Sequence, residues 1–378
     1  MALRLPTCPA KGLEEIALKD LVPQIVGGRH RPWWRHLLPR GLTREGVVLE
    51  QHIREGRFQR SLALIAGLSS LPSGFEVAYE HYRGSYSQLI MYSPIVLSPL
   101  LFLAGVAGTF SRRASRTVLP LISAATIVDG CVGFIFHVRG VQRKPGGWRI
   151  PVANVIMGPP VFAPLLFAIS GFLGVLAALL RREDDPAWQV ASLGPRPHAT
   201  AAPSLRDPDF GRQSLGRAVP AGHRPAWLHL LPRGISREGI TLAQEVREGR
   251  FQRSLAAAAA FSAVFSGIEA LYSHYKNNFR YPKLQWSPIM LMPLLFAAGI
   301  GAVRSRTIAR TALPVVSLLA ILDGTIGTFY HARGILRRPG GLTMPLYNIM
   351  YGPPIFAPML FAASGFMGLL ASLLRREK

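Results

Sequence analysis

Long apolar stretches, separated by short polar and basic segments, set the pattern of this chain. Four occur in each half, and most approach the roughly 20 apolar residues that cross a bilayer as a helix. Eight membrane-spanning helices are therefore predicted. Their expected bounds are Ser61–Tyr79, Tyr92–Phe110, Thr117–Phe136 and Val155–Leu180 in the first half, and Ser254–Leu271, Ser287–Val303, Thr311–Tyr330 and Ile349–Leu374 in the second.

The two halves repeat each other in sequence. The segment REGRFQRSLA begins at Arg54 and again at Arg247, and HVRGVQRKPGG at His137 corresponds to HARGILRRPGG at His331. Between 151–183 and 345–377, 22 of 33 positions are identical. Such a duplication predicts two copies of one structural unit. Four spans per copy give both copies the same orientation, so the repeat is parallel rather than inverted.

The expected fold is an all-α polytopic membrane protein made of two tandem parallel four-helix transmembrane repeats. Residues 1–30 form an N-terminal extension, 31–183 the first repeat, 184–223 a flexible linker rich in small residues and proline, and 224–378 the second repeat. A short interfacial helix is expected at the start of each repeat, because tryptophan, leucine and arginine interleave there as they do at a lipid surface.

Composition agrees with a membrane location. Only 17% of the residues are charged and 49% are hydrophobic, whereas soluble domains carry about 25% charge. The 43 lysines and arginines outnumber the 20 acids and flank the apolar stretches, which favours anionic lipid head groups and argues against nucleic acid. The two cysteines, Cys8 and Cys131, offer neither a disulfide framework nor a thiolate metal site.

Basic residues also predict the orientation. With the N-terminus inside, the inner segments of the repeats carry more than twice as many lysines and arginines as the outer loops. The positive-inside rule therefore places both termini in the cytoplasm. Because residues 1–30 lack the continuous apolar region of a cleavable signal, we expect insertion into a bacterial inner membrane through the first span.

Ionisable residues recur inside or beside spans 1 and 3 of both repeats. Such groups are costly in a bilayer and mark functional sites by default. Spans 1 and 3 run in the same direction, so these groups should lie toward the same, outer side. The acids are expected to form a proton path or to hold helices together as polar pairs. They are Glu76 and Asp129 in the first repeat, and Glu269 and Asp323 in the second.

The histidines of spans 1 and 3 are the candidate cofactor ligands. A carboxylate-bridged site is disfavoured, because Glu76 and His81 are five residues apart and point about 140° away from each other on a helix. A haem b needs only one imidazole from each of two helices at matching depth, with a nearby arginine for a propionate. The residues predicted to bind it are His81, His137 and Arg139, and His274, His331 and Arg333. The alternative is that these histidines only cap loop carbonyls or contact head groups.

Span 4 combines proline with small residues. The run GPPVFAP begins at Gly158, and Pro159 and Pro160 suit the start of a helix, whereas Pro164 would lie deeper within it. The small residues were expected to let the backbone approach a flat cofactor. They are Gly158, Ala163, Ser170, Gly171 and Gly174.

Three functions follow from these features. In architecture alone, two tandem four-helix units resemble the membrane anchors of respiratory oxidoreductases, which favours an electron-transfer or quinone-interacting subunit that works with an extrinsic redox protein. The second is a proton- or cation-coupled transporter or channel that uses the intramembrane acids. The third is a structural membrane subunit with no cofactor.

Overall fold

The computed structural model describes residues 40–184 and 241–377. All regular elements in these residues are helical. The expected extension 1–30, the linker beyond Asp184 and nearly all of the expected interfacial segments lie outside the described residues. Contacts divide the chain into residues 1–51 and 52–378, and the long apolar helices and both histidine pairs lie in the second unit.

The helices of the two halves match in order and length. In the first half they are α1 (Arg40–Arg54), α2 (Gln59–Arg83), α3 (Ser93–Phe110), α4 (Arg112–Arg116), α5 (Val118–Gln142), α6 (Pro151–Ile156) and α7 (Ala163–Leu179). In the second half they are α8 (Gln252–Lys276), α9 (Pro282–Gln285), α10 (Ser287–Arg304), α11 (Arg306–Arg310), α12 (Ala312–Leu336), α13 (Pro345–Met350) and α14 (Ala357–Leu373). Residues 241–247 are also helical.

Within the described residues, six helices are long and apolar enough to cross a membrane, which indicates an integral membrane protein. They comprise α2, α5, α8 and α12, together with the helical stretches Leu89–Phe110 and Pro282–Arg304, which contain α3 and α10. Helices α7 and α14 have 17 residues each. At 1.5 Å per residue each measures about 26 Å, which is slightly short of a hydrocarbon core of about 30 Å.

The stretch expected to form one span at Val155–Leu180 is divided. Helix α6 ends, residues 157–162 are irregular, and α7 then begins. Pro159 and Pro160 lack the backbone N–H that a continuing helix needs. Pro164, expected deeper in the helix, lies in the first turn of α7, where no intrahelical donor is lost. The second half has the same division before α14.

Each half packs as a four-helix arrangement. In the first half α2 and α5 each pack against both α3 and α7, so α2 and α5 lie diagonally opposite each other. In the second half α8 and α12 are likewise each packed against α10 and α14. Helices α7 and α8 contact each other and join the halves. This diagonal placement puts the two histidine-bearing helices of each half across the middle from one another.

Small alanine side chains allow α2 and α8, the first span of each half, to pack closely within the core. Ala63 and Ala66 of α2 and Ala256, Ala259 and Ala263 of α8 are completely buried. One hydrophobic cluster includes these residues and continues through leucines of both halves. Because a single core is shared, separation of the halves would expose apolar surface on both.

The turns that precede α2 and α8 contact each other at Gly56 and Gly249. Their φ angles are 68° and 70°, a region that favours glycine. A Cβ on Gly56 would lie 2.5 Å from the carbonyl oxygen of Arg247, and one on Gly249 would lie 2.5 Å from that of Arg54. The contact is therefore reciprocal, and a side chain at either position would force the turns apart.

Candidate functional site: paired histidines and capping acids

The histidines of each half face each other. His81 lies in the last turn of α2 and His137 near the end of α5, and their ring centres are 6.4 Å apart. His274 of α8 and His331 of α12 are also 6.4 Å apart. The ring planes are inclined by 65° in the first pair and 55° in the second. Both pairs bridge the diagonal of their four-helix arrangement.

Both rings of the first pair are anchored through Nδ1. His81 Nδ1 lies 2.8 Å from the carbonyl oxygen of Met91, and His137 Nδ1 lies 2.5 Å from that of Pro160. A carbonyl oxygen only accepts, so Nδ1 carries the proton and the neutral ring keeps its lone pair on Nε2. Histidines that bind metals commonly donate their other nitrogen to a carbonyl in this way. In the first pair, both Nε2 lone pairs therefore remain free of these carbonyl contacts.

The second pair is anchored on one side. His331 Nδ1 lies 2.6 Å from the carbonyl oxygen of Pro354, which matches the contact of His137. His274 has no such anchor among the described residues and lies beside the ring of Phe279, with ring centres 6.5 Å apart. The two sites thus share their histidines and differ in how firmly one ring is oriented.

The space between the rings is bordered by turns. Met91 belongs to the short 3₁₀ turn Leu89–Tyr92 that precedes α3, and Pro160 belongs to the irregular segment that precedes α7. Helices α3 and α7 begin after these turns, so His81 and His137 are contacted by the segments that precede the two helices.

The donor set fits an iron held between two imidazoles. Bonds of about 2 Å on opposite sides of a metal would place the ring centres about 6 Å apart, close to the 6.4 Å observed. A larger protein ligand set is not offered, since the described residues contain no group of three or more His, Cys, Asp or Glu that could hold a metal ion.

The small residues of α7 serve helix packing. A Cβ on Gly171 would lie 2.6 Å from the carbonyl oxygen of Ser123, and one on Gly130 would lie 2.5 Å from that of Pro164. Ser123 is about 21 Å from His137 along α5. Gly171 therefore brings α5 and α7 together far from the histidines, and it does not make room there for a flat cofactor as expected.

The expected propionate partners are exposed. Arg139 and Arg333 lie near the ends of α5 and α12, with solvent-accessible side chains. Neither side chain forms a hydrogen bond or ion pair with another described residue. Both positions are charged, unpaired within the described residues and on the same end of the molecule as the histidines.

The span 3 acids contact serines at the start of the second span. Ser93 donates a short hydrogen bond to Oδ1 of Asp129, and Ser287 contacts Asp323 in the same way. These contacts hold α5 to α3 and α12 to α10. The sequence signal for these contacts is a Ser-Pro pair at the same position of both repeats.

The span 1 acids reach across to the other half. Oε1 of Glu76 accepts a hydrogen bond from the backbone N–H of Phe356 at 2.9 Å, and Oε1 of Glu269 accepts one from Phe162 at 2.8 Å. These N–H groups immediately precede α14 and α7. A carboxylate satisfies the free donors at a helix N-terminus and interacts favourably with the helix dipole. Each acid therefore caps the broken helix of the opposite repeat.

Aromatic rings reinforce both contacts. The rings of Phe75 and Phe356 stack with centres 6.3 Å apart, and those of Phe162 and Phe265 stack at 5.0 Å. Glu76 is thus engaged with the second half, while Asp129 is engaged within its own half. The two acids of one repeat do not form a common polar pair.

No protein-family model, curated protein or solved structure matches this chain. The candidate site therefore rests on its own geometry. It consists of two histidine pairs with matching separation, held in place by carbonyl contacts and by polar links between helices.

Proposed function

We propose that the protein crosses the membrane eight times, as two parallel four-span repeats. Six spans are the long apolar helices. The other two are α7 and α14, extended by the preceding short helices and irregular segments. Irregular backbone persists at membrane depth only where protein covers it and satisfies its polar groups. The capping of Phe162 and Phe356 by glutamates supports a location within the membrane.

In this proposal both termini and the linker are cytoplasmic, and the histidines lie near the outer face. Reporter fusions test the arrangement. A fusion after Lys378 or within 201–215 should report the cytoplasm, and a fusion at Arg143, just after α5, should report the outside. The same signal at all three positions would contradict eight spans.

The function best supported is that of an electron-transfer subunit with one haem-type site in each repeat. The observation that carries it is the repeated pair of imidazoles, with ring centres 6.4 Å apart in both halves. An equal distance between the ring centres in both repeats is expected if cofactor binding requires that distance. Haem iron, when bound, supplies one-electron transfer.

The protein residues have separate tasks in this proposal. His81 and His137 bind through Nε2, and the carbonyl oxygens of Met91 and Pro160 fix the ring orientations. Exposed Arg139 is available to a propionate or to an acidic surface of an extrinsic redox partner. A membrane quinone is the second expected partner, because the site lies at the level of the membrane boundary.

A structural subunit without cofactor is the second candidate. The reciprocal caps of Glu76 and Glu269 favour it, because they use the acids to join helices. The same contacts weaken the transporter proposal, since each acid is already engaged with backbone. In the structural candidate, the histidines serve only to hold Met91, Pro160 and Pro354.

Haem content in purified variants separates the two candidates. His137→Ala and His331→Ala should each remove about half of the Soret absorbance, because one of two equivalent sites is lost. His52→Ala is the matched control, since His52 has no counterpart in the second repeat. Protein yield and helical circular dichroism should stay at the parent level. Equal absorbance in His137→Ala and the parent would contradict the proposed ligands.

A further inference from the structure

A cavity at the end of the second half is lined by five arginines and no acid. Its volume is about 210 Å³, and Gln252 and Ser372 are the other polar residues in its wall. It lies where the short helix α11 meets the end of α14, beyond the long apolar helices. The arginines are Arg54, Arg306, Arg310, Arg375 and Arg376.

At the equivalent position in the first half, side-chain and backbone groups of the chain form hydrogen bonds with the arginines. Arg182 is buried and donates hydrogen bonds to Asp184 at 3.0 Å and to Oε1 of Gln59 at 3.2 Å. The hydrogen bond from Arg182 lowers the pKa of Asp184. Arg116 donates to two carbonyl groups at the end of α7. Arg182 and Arg116 therefore have partners within the chain.

Within the described residues, the second half has no counterpart of the Arg182 contacts with an acid and with the glutamine oxygen. The sequence has Lys378 where the first repeat has Asp184. Arg376 donates to the carbonyl oxygens of Ala302 and Val303, as Arg182 does to those of Gly108 and Thr109. The difference lies at the glutamine, because Oε1 of Gln252 is left buried with no hydrogen bond. Arg310, the counterpart of Arg116, is exposed and bonds to no other described residue.

Like charges accumulate around the cavity. Burial lowers the pKa of Arg376, and repulsion from Arg253 and Arg306 lowers it further, against the opposing effect of Glu377. Glu377 does not line the cavity, because its carboxylate accepts hydrogen bonds from the backbone N–H groups of Arg253 at 2.8 Å and Ser254 at 3.1 Å. An anion within the cavity would relieve this repulsion.

We propose that this cavity binds a phosphate group. Guanidinium groups match phosphate oxygens in geometry and charge, and the cavity lies where lipid head groups begin. Oε1 of Gln252 needs a donor, which a hydroxyl beside the phosphate supplies. The glycerol head group of phosphatidylglycerol and a free hydrogen phosphate ion share this chemistry.

Thermal unfolding of the delipidated full-length protein in detergent tests the proposal. One series adds phosphatidylglycerol or zwitterionic phosphatidylcholine, and the other adds inorganic phosphate or chloride at equal ionic strength. The variant is Arg306→Gln with Arg310→Gln. The control is Arg112→Gln with Arg113→Gln, which removes the same charge from the equivalent short helix, α4. Lys378→Asp supplies the acid that the second repeat lacks.

Phosphatidylglycerol should raise the midpoint of the parent and of the control by several degrees more than phosphatidylcholine does. The shift should be lost in Arg306→Gln/Arg310→Gln and reduced in Lys378→Asp. An equal shift with inorganic phosphate would identify the free ion as the ligand. The proposal is overturned if no phosphate compound shifts the parent, or if both double variants lose the shift equally.

Discussion

The carboxylate of Glu76 accepts a hydrogen bond from the backbone N–H of Phe356, 2.9 Å away and 280 residues later in the chain. Glu269 makes the reciprocal contact with Phe162. Each half thus caps the N-terminus of the helix that follows the proline-containing break in the other half. This exchange explains why two copies that repeat the same sequence are packed around one core.

Loss of a capping acid should destabilise the protein. Glu76→Ala would leave buried N–H groups without an acceptor, at a cost of about 1–3 kcal/mol. Glu76→Gln keeps an acceptor oxygen and should cost less. The measurement is the thermal midpoint in detergent, with Glu80→Ala as control, because the Glu80 side chain is 41% exposed. Equal midpoints for Glu76→Ala and Glu80→Ala would contradict the capping role.

The halves should associate without a covalent link. Cleavage of the chain within 201–215 leaves the shared core and both reciprocal caps intact. Co-expressed halves should therefore co-purify in detergent. Glu76→Ala with Glu269→Ala should weaken that association, whereas the exposed-site change Glu80→Ala should not. Halves that never co-purify would show that the linker, and not the interface, holds them together.

Removal of the serine that bonds the span 3 acid should also be costly. Ser93→Ala leaves Asp129 without its hydroxyl donor, which predicts a loss of about 1–3 kcal/mol. Ser87→Ala is the control, since Ser87 is exposed and makes only a long contact with a sulfur atom. The expected order of thermal midpoints is parent, Ser87→Ala and then Ser93→Ala. A midpoint for Ser93→Ala at or above that of Ser87→Ala would count against the contact.

The contact between the turns predicts that a glycine-to-alanine substitution destabilises the protein at Gly56 but not at Gly46. Gly56→Ala puts a Cβ against the carbonyl of Arg247 in a positive-φ conformation and should destabilise by about 1 kcal/mol or more. Gly46→Ala lies within α1 with nothing within 4 Å and should be neutral or stabilising. Chemical unfolding of both variants measures the difference. A stable Gly56→Ala variant would refute the contact.

Most of the architecture could be predicted from local pattern. Apolar length indicated the six long helices, and the prediction of an all-α fold is confirmed in the described residues. These six helices are long and apolar enough to cross a membrane, whereas the eight-span arrangement stays a prediction. The direction of spans 1 and 3 indicated that His81 and His137 would lie at one end. The division of the fourth stretch was harder, because Pro164 is compatible with either a first turn or a kink.

The partners of the acids could not be predicted. Glu76 was expected to belong to a proton path or to a polar pair between helices. Its carboxylate instead accepts a hydrogen bond from the backbone of the other repeat. A backbone N–H has no sequence signature, and the pattern of one repeat does not encode which helix of the second lies beside it. Ser93 was missed for a simpler reason: serine before proline is common at helix starts, so its contact with Asp129 did not stand out.

The paired-imidazole site is tested most directly by a dithionite-reduced minus oxidised absorbance spectrum of the parent protein, purified from cells supplied with a haem precursor. The expected result is the Soret and α bands of six-coordinate haem b, at two haems per chain, because both halves hold their rings 6.4 Å apart. A spectrum without these bands from folded, haem-supplied protein would contradict the electron-transfer proposal and leave the structural role of the histidines.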